Sequence, residues 1–348
     1  MNLAIAGMAW VTALGAELEP VWERLKRGDV AEVRTLSNPE SGVTHPYMPV
    51  PPELFESRVR NPRLRRSSAI SHLAVTAGLA AIADAGLAQT PELAERTSIV
   101  FAISSGGVAY TRRFYEQIVK QGAHSASPLL FPETVYNAPA SHLAALLGID
   151  GASYTLVGDS SVGLSAIKFA EQLLETTDID HCIVVGAEEL DWVLCEAYRQ
   201  WRLSAESEGA GARGRGMILA EAGAALVLAR EGRVRIREVH PGVPLFNRRG
   251  VPDALDRLFT ELLHSSLVDL AVCSANGSYI DKLEAAALAR HCPSAVRLSP
   301  KRQFGEALGA SALLQVIAGA LAVTDGTARS ALISAVGFNQ QASGLVLG

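Results

Sequence analysis

The sequence predicts an α/β fold made of two similar halves, with sheets covered by helices on both faces. Three observations carry that reading. Short runs such as 97–103 and 181–187 are continuously apolar after a polar first residue or two rather than alternating, as strands buried on both faces are. Between them lie segments whose apolar residues recur at helical spacing, so strands and helices alternate along the chain. Similar strand–loop–helix units stand on either side of residue 230, and no linker rich in Pro, Gly or Ser divides them. We expect halves at 1–230 and 231–348 within one integrated unit.

The elements follow in order. A short strand over 3–9 leads to a helix over Leu18–Arg27. Residues 28–66 are rich in Pro, Arg and Glu and weakly periodic, so they read as an irregular excursion. Its basic end (Arg58, Arg60, Arg63, Arg65, Arg66) reads as solvated surface. An Ala-rich helix spans 67–85 and stops at Gly86, a C′ glycine. The buried strand 97–103 runs into Ser104-Ser-Gly-Gly, and Phe131-Pro-Glu-Thr-Val-Tyr-Asn137 precedes a helix over 138–147. A strand over 154–157 enters the corner Gly158-Asp159-Ser160-Ser161. The helix after it shows an apolar face at Leu164, Ile167, Phe169, Leu173 and Leu174. Strands are expected over 181–187, 223–230, 234–239, 268–274, 331–336 and 344–347. The intervening helices are expected over 253–265, 281–290 and 310–324.

With 348 residues and 49% hydrophobic content the chain can bury a large core. A net charge of −5 gives no electrostatic footprint for nucleic acid or an anionic membrane. Cys182, Cys195, Cys273 and Cys292 lack paired spacing, which argues against a zinc site or a disulfide framework and for a reducing compartment. The first residues lack a basic n-region and read as a strand. The longest apolar run, 310–323, contains Ser and Gln and falls short of a membrane span. A cytoplasmic protein with no cofactor and no metal is expected.

The corner at Gly158–Ser161 is the chemical focus. A short polar side chain at a helix start is held near unpaired N–H groups and the positive end of the helix dipole. That placement can activate a nucleophile, and Asp and Ser are equally at home there as inert caps. The neighbourhood decides between them. Gly7-Met-Ala, the 131–143 stretch, Val184-Val-Gly-Ala-Glu-Glu189 and Gly216-Met-Ile-Leu-Ala-Glu-Ala-Gly-Ala-Ala-Leu-Val-Leu228 occur in an order and spacing that resembles the β-ketoacyl synthases, condensing enzymes of the thiolase superfamily. The resemblance covers nearly the whole chain. It implies a five-layered α-β-α-β-α thiolase-like fold and an obligate dimer in which a strand near the nucleophile helix pairs across the interface.

The resemblance also locates what has changed. In the family the corner carries an acylated cysteine; here that position is Ser160, and the family glycine is Gly163. The family pattern Asn-Ala-His-Gly-Thr-x-Thr reads Ser274-Ala-Asn-Gly-Ser-Tyr-Ile280, which puts Asn276 at the first histidine. The pattern Lys-x-x-x-Gly-His-x-x-Gly-Ala reads Lys301-Arg-Gln-Phe-Gly-Glu-Ala-Leu-Gly-Ala310, which keeps Lys301 and puts Glu306 at the second histidine. The orienting carboxylate falls at Gln315. The loop Gly-Phe-Gly-Gly-Thr-Asn reads Gly337-Phe-Asn-Gln-Gln-Ala342, keeping Phe338. None of the eight histidines holds a motif position, and His142 reads as structural. Phe131, Asn137, Asp159 and Phe338 are the expected substrate or interface residues.

A serine hydroxyl without a base is a weak nucleophile. General-base help is worth about 10²–10⁴-fold, and an enolate-stabilising donor about 10²–10³-fold. The resemblance therefore implies a non-catalytic subunit of chain-length-factor type. It would pair with an active ketosynthase, of aryl-polyene, polyketide or fatty-acid-like biosynthesis, and meet an acyl carrier protein through that partner. In that reading Ser160 and Asp159 cap the helix and Glu306 balances Lys301. The alternative is a Ser160-dependent acyltransferase or thioester hydrolase acting on acyl carrier protein substrates.

Overall fold

The computed structural model describes residues 2–56, 58–205, 216–264, 267–338 and 340–348. Its large sheet has eleven strands among these residues. In the N-terminal half Ser153–Val157, Thr97–Ile103 and His181–Glu188 run parallel. His181–Glu188 then pairs antiparallel with Ala222–Ala229, and that strand with Leu3–Val11. The C-terminal half repeats the pattern. Val296–Leu298, Leu270–Val272 and Ala331–Val336 are parallel, followed by antiparallel Gln341–Leu347 and Val234–Val239. The two halves join where Leu3, Ala4 and Ile5 pair antiparallel with Ile236, Arg235 and Val234.

The period of two along each strand sorts side chains into separate cores. In Thr97–Ile103, Ile99, Phe101 and Ile103 face helices Ala69–Asp84 and Ala138–Leu147, while Val100 and Ala102 face helix Val162–Thr176. In the second half Ala271 and Leu332 face helices Val251–Leu262 and Ile280–His291. Val272 and Ile333 face helix Ser311–Thr324. The central pair of helices, Val162–Thr176 and Ser311–Thr324, share one core between the sheet halves, completing five layers. Their approach depends on Gly163, where a Cβ would lie 3.0 Å from the Ala312 methyl and 3.2 Å from the Leu313 N. Every residue from Ser311 to Ala322 is buried, as a helix apolar all round requires.

Several elements depart from expectation. The 28–66 excursion contains a hairpin, Arg34–Ser37 with Thr44–Met48, joined by Leu219–Ala220 into a small second sheet. Besides short helical turns at Pro91–Glu95 and Lys301–Phe304, two longer helices had no sequence signal. Val108–Gln121 buries none of its residues, so it shows no stripe facing the core of this chain. Trp192–Gln200 buries only Cys195 and Tyr198 and is set by its cap, with Asp191 Oδ1 accepting the Val193 N–H at 3.1 Å. The expected helix 253–265 is Val251–Leu262, begun by a proline in its first turn; residue 265 lies outside the described residues. The 268–274 strand shortens to Leu270–Val272. Phe169 is half-buried, packing at the margin of the apolar core and meeting Tyr154 edge-on at 4.8 Å. Among the described residues no helix is long and apolar enough to cross a membrane.

Candidate functional site

Strand Ser153–Val157 delivers the corner to the start of helix Val162–Thr176. The Gly158 N–H donates to the Ile103 carbonyl at 2.9 Å, and the Val162 N–H to the Asp159 carbonyl at 3.0 Å. Asp159 is the organising side chain. Oδ1 accepts the Ser161 N–H at 3.2 Å and its hydroxyl at 3.1 Å, while Oδ2 accepts the Phe338 N–H at 2.7 Å. Gln340 Oε1 accepts the Asp159 N–H at 2.9 Å, and Gln341 Nε2 donates to Ser165 Oγ at 2.6 Å. Gln340, at a family glycine, and Gln341, at the family threonine, thus tie the C-terminal loop to the corner and its helix. Asn339, in the same loop, lies outside the described residues.

Ser160 is fully buried, and its hydroxyl has no hydrogen-bond partner among the described residues. This corrects the expectation that it caps the helix; Ser161 is the N-cap residue and Asp159 supplies the carboxylate. Asn276, Lys301 and Glu306 come together in a second buried cluster. Glu306 Oε2 accepts Asn276 Nδ2 at 2.7 Å and Lys301 Nζ at 3.1 Å. Oε1 accepts the Ser311 hydroxyl at 2.5 Å and the Leu308 N–H at 3.2 Å. A carboxylate offers about four lone-pair sites, and all four are filled. The Asn276 amide oxygen accepts the Ser278 N–H at 3.1 Å, so that side chain is also spoken for at both ends.

Gln315 does not orient this cluster. Its Nε2 donates to the Cys273 carbonyl at 2.9 Å and the Ser334 carbonyl at 2.8 Å, linking neighbouring strands. The acid on the far side of Lys301 is Glu284, missed in the sequence. It accepts the Ser274 N–H at 2.8 Å, and Lys301 Nζ reaches Ser274 Oγ at 3.3 Å. Burial pushes its carboxyl up to about 7, against the Ser274 N–H and the nearby Lys301 charge. A signal existed: Glu284 sits in the buried stripe of Ile280, Ala287 and Leu288.

A cavity of about 270 Å³ opens beside the corner, lined by Asp159, Tyr198, Trp201, Leu203 and Phe338. Tyr198 meets the Trp201 and Phe338 rings edge-on at 5.2 and 6.1 Å. Phe131 and Asn137 do not hydrogen-bond to this corner. Phe131 is exposed against Phe114 at 5.9 Å, and the Asn137 carbonyl accepts the Ser141 N–H at 3.0 Å. His142 bonds the buried Glu133 at 2.7 Å, and Glu133 takes the Ser68 N–H at 2.8 Å ahead of helix Ala69–Asp84. Among the described residues no group of three His, Cys, Asp or Glu side chains could hold a metal ion.

The family model described as "Beta-ketoacyl synthase, N-terminal domain" matches residues 2–233. The chain belongs to the β-ketoacyl synthase family. Among curated ketosynthases it is 26% identical to polyketide beta-ketoacyl synthase 2 of Streptomyces cyaneus, over 91% of this chain and 83% of that one. It is 23% identical to 3-oxoacyl-[acyl-carrier-protein] synthase 2 of Coxiella burnetii, over 94% and 87%. Among solved structures, the ishigamide ketosynthase/chain length factor superposes with a TM-score of 0.82 at 19% identity, covering 100% of this chain and 98% of that one. A β-ketoacyl synthase from Burkholderia phymatum gives 0.81 at 18% identity, over 99% and 98%. These likenesses establish the thiolase fold of a ketosynthase for this chain.

Proposed function

We propose that this chain is a non-catalytic, chain-length-factor-type ketosynthase subunit. It pairs with an active β-ketoacyl-[acyl carrier protein] synthase in polyketide, aryl-polyene or fatty-acid-like biosynthesis. The observation that carries the reading is the saturation of Glu306. A residue whose lone pairs are taken by Asn276, Lys301, Ser311 and Leu308 has none left for the Ser160 proton. Ser160 then lacks the base that a serine nucleophile needs. The similarity to the ishigamide ketosynthase/chain length factor supports the pairing. So do the exposed apolar side chains Tyr115 and Val119 of helix Val108–Gln121 and the neighbouring Phe131.

Co-expression with an active ketosynthase tests it. A stable one-to-one complex is expected, with product formation unchanged by Ser160→Ala. A chain that stays apart from every such ketosynthase, or a complex silenced by Ser160→Ala, contradicts it. The unpartnered Ser160 hydroxyl at the start of a long helix favours the second reading, a Ser160-dependent acyltransferase or thioester hydrolase. A complex silenced by Ser160→Ala is its signature.

A further inference from the structure

The loop after strand Thr97–Ile103 carries a second serine whose chemistry the subunit reading leaves unused. The Ser105 hydroxyl is hydrogen-bonded to Glu188 Oε1, and the Ser105 N–H reaches the same oxygen at 2.8 Å. Glu188 Oε2 accepts the Ser104 N–H at 3.1 Å and the Gly309 N–H at 3.3 Å. These donors fix the carboxylate at the end of strand His181–Glu188, where it is fully buried. Glu188 differs from Glu306 in two respects. No cation pairs with it among the described residues, whereas Lys301 holds Glu306. Its hydroxyl donor, Ser105, is only half-buried, whereas Ser311 is fully enclosed.

The next two residues complete an arrangement suited to acyl transfer. Gly106 and Gly107 are buried and lead into helix Val108–Gln121. Gly106 has φ +71°, which glycine adopts freely, and a Cβ on Gly107 would lie 2.2 Å from the Glu133 carbonyl oxygen. Neither glycine N–H has an acceptor among the described residues. Buried unpaired N–H groups are rare. Two in succession beside a hydroxyl, at the positive end of a helix, can receive a carbonyl oxygen that gains negative charge.

We propose that Ser105 and Glu188 form a nucleophile–base pair that takes an acyl group from activated esters or thioesters, with the Gly106 and Gly107 amides receiving the carbonyl oxygen. As Ser105 Oγ bonds to the acyl carbon, its proton passes to Glu188. The bond from that carbon to the leaving alkoxide or thiolate then breaks, and the leaving group collects the proton. Water reverses the sequence: its oxygen bonds to the acyl carbon, its proton passes through Glu188 to Ser105, and the free acid departs. Burial pushes the Glu188 carboxyl up to about 7, against the pull of its four donors, which suits a base working near neutrality.

The test uses the full chain with p-nitrophenyl acetate as probe, following nitrophenolate release and mapping acetylated peptides by mass spectrometry. An acetyl group on Ser105 is expected, lost in Ser105→Ala, forming faster as pH rises through about 7. Glu188→Gln should slow its formation by about 10²–10⁴-fold. If Glu188→Gln fails to fold, Ser105→Ala decides alone, because it removes one hydroxyl from a half-buried site. Acetylation confined to Ser160 or to lysines, or a release rate unchanged in Ser105→Ala, overturns the proposal. Pairing with a ketosynthase is a separate readout: its loss would sink the subunit reading and leave Ser105 chemistry standing, and the converse holds.

Discussion

A histidine in the family pattern and the glutamate at 306 differ in what they ask of their neighbours. An imidazole can stay neutral beside Lys301; a carboxylate there makes a buried ion pair at 3.1 Å, both side chains wholly enclosed. Such a pair adds little over an apolar replacement, but removing one member strands a buried charge at a cost of about 3–5 kcal/mol. Glu306→Gln should therefore destabilise the chain by about that amount, and adding Lys301→Met should recover much of it. Chemical denaturation of the two single variants and the double variant measures the coupling; additive effects would contradict the pairing. The Lys301–Glu306 pair was legible in the sequence because both residues fall in one short motif. The acid behind the lysine was not. Gln315 lies on a helix whose register turns its amide to the strand carbonyls, and Glu284 is brought in by a different helix. Spacing within a motif carries contacts inside it, and says little about what tertiary packing adds from outside.

At the scale of elements, the corner and the C-terminal loop form a latch. Asp159 holds the Phe338 N–H at 2.7 Å and the Ser161 N–H at 3.2 Å, and its loss leaves both donors unsatisfied. Asp159→Ala should cost about 1–3 kcal/mol, seen as a lower denaturant midpoint with an unchanged slope. An unchanged midpoint would show that the latch is idle. An alternating strand such as Val234–Val239 and a continuously buried one such as Ala331–Val336 both stand in the structure where their patterns put them. Helix Val108–Gln121 escaped notice because none of its residues is fully buried, and Tyr115 and Val119 face outward. In the proposed complex that outward face and the edge strand Ser153–Val157 meet the partner. Val119 is 83% exposed and Val157 53%. Charging both, as Val119→Glu with Val157→Lys, should abolish co-purification with an active ketosynthase without changing the far-UV circular dichroism. Retained pairing would place the interface elsewhere.

Across the whole molecule, buried acids couple stability to pH. Burial pushes Glu188, Glu189, Glu221 and Glu284 each up to about 7, against the N–H donors that each accepts. A carboxyl whose folded pKa is raised binds its proton more tightly when folded. Its contribution is fully present below the unfolded value, about 4.5, and is lost as pH rises through about 7. Glu189 joins the Ile70 N–H at 3.0 Å and the Ala109 N–H at 2.9 Å, so it spans the starts of two helices. Measured against Glu189→Gln, the unaltered chain should gain about 1.4 kcal/mol per pH unit as pH falls from 7 toward 5. Parallel stability curves for the two proteins would refute this. Burial lowers His45, His72 and His181 instead, an opposing effect that the comparison cancels.

The doubled sheet order and the five layers are those of a ketosynthase scaffold, and the central claim of the proposed function is that its reaction centre has become structural, with Lys301 paired to Glu306. Incubation of the chain and a co-expressed active ketosynthase with acyl- and malonyl-carrier protein, followed by peptide mass mapping of both, tests that claim most directly. The account predicts an acyl mass on the partner's nucleophile and none on the peptide that carries Ser160. An acyl group on Ser160 would contradict it.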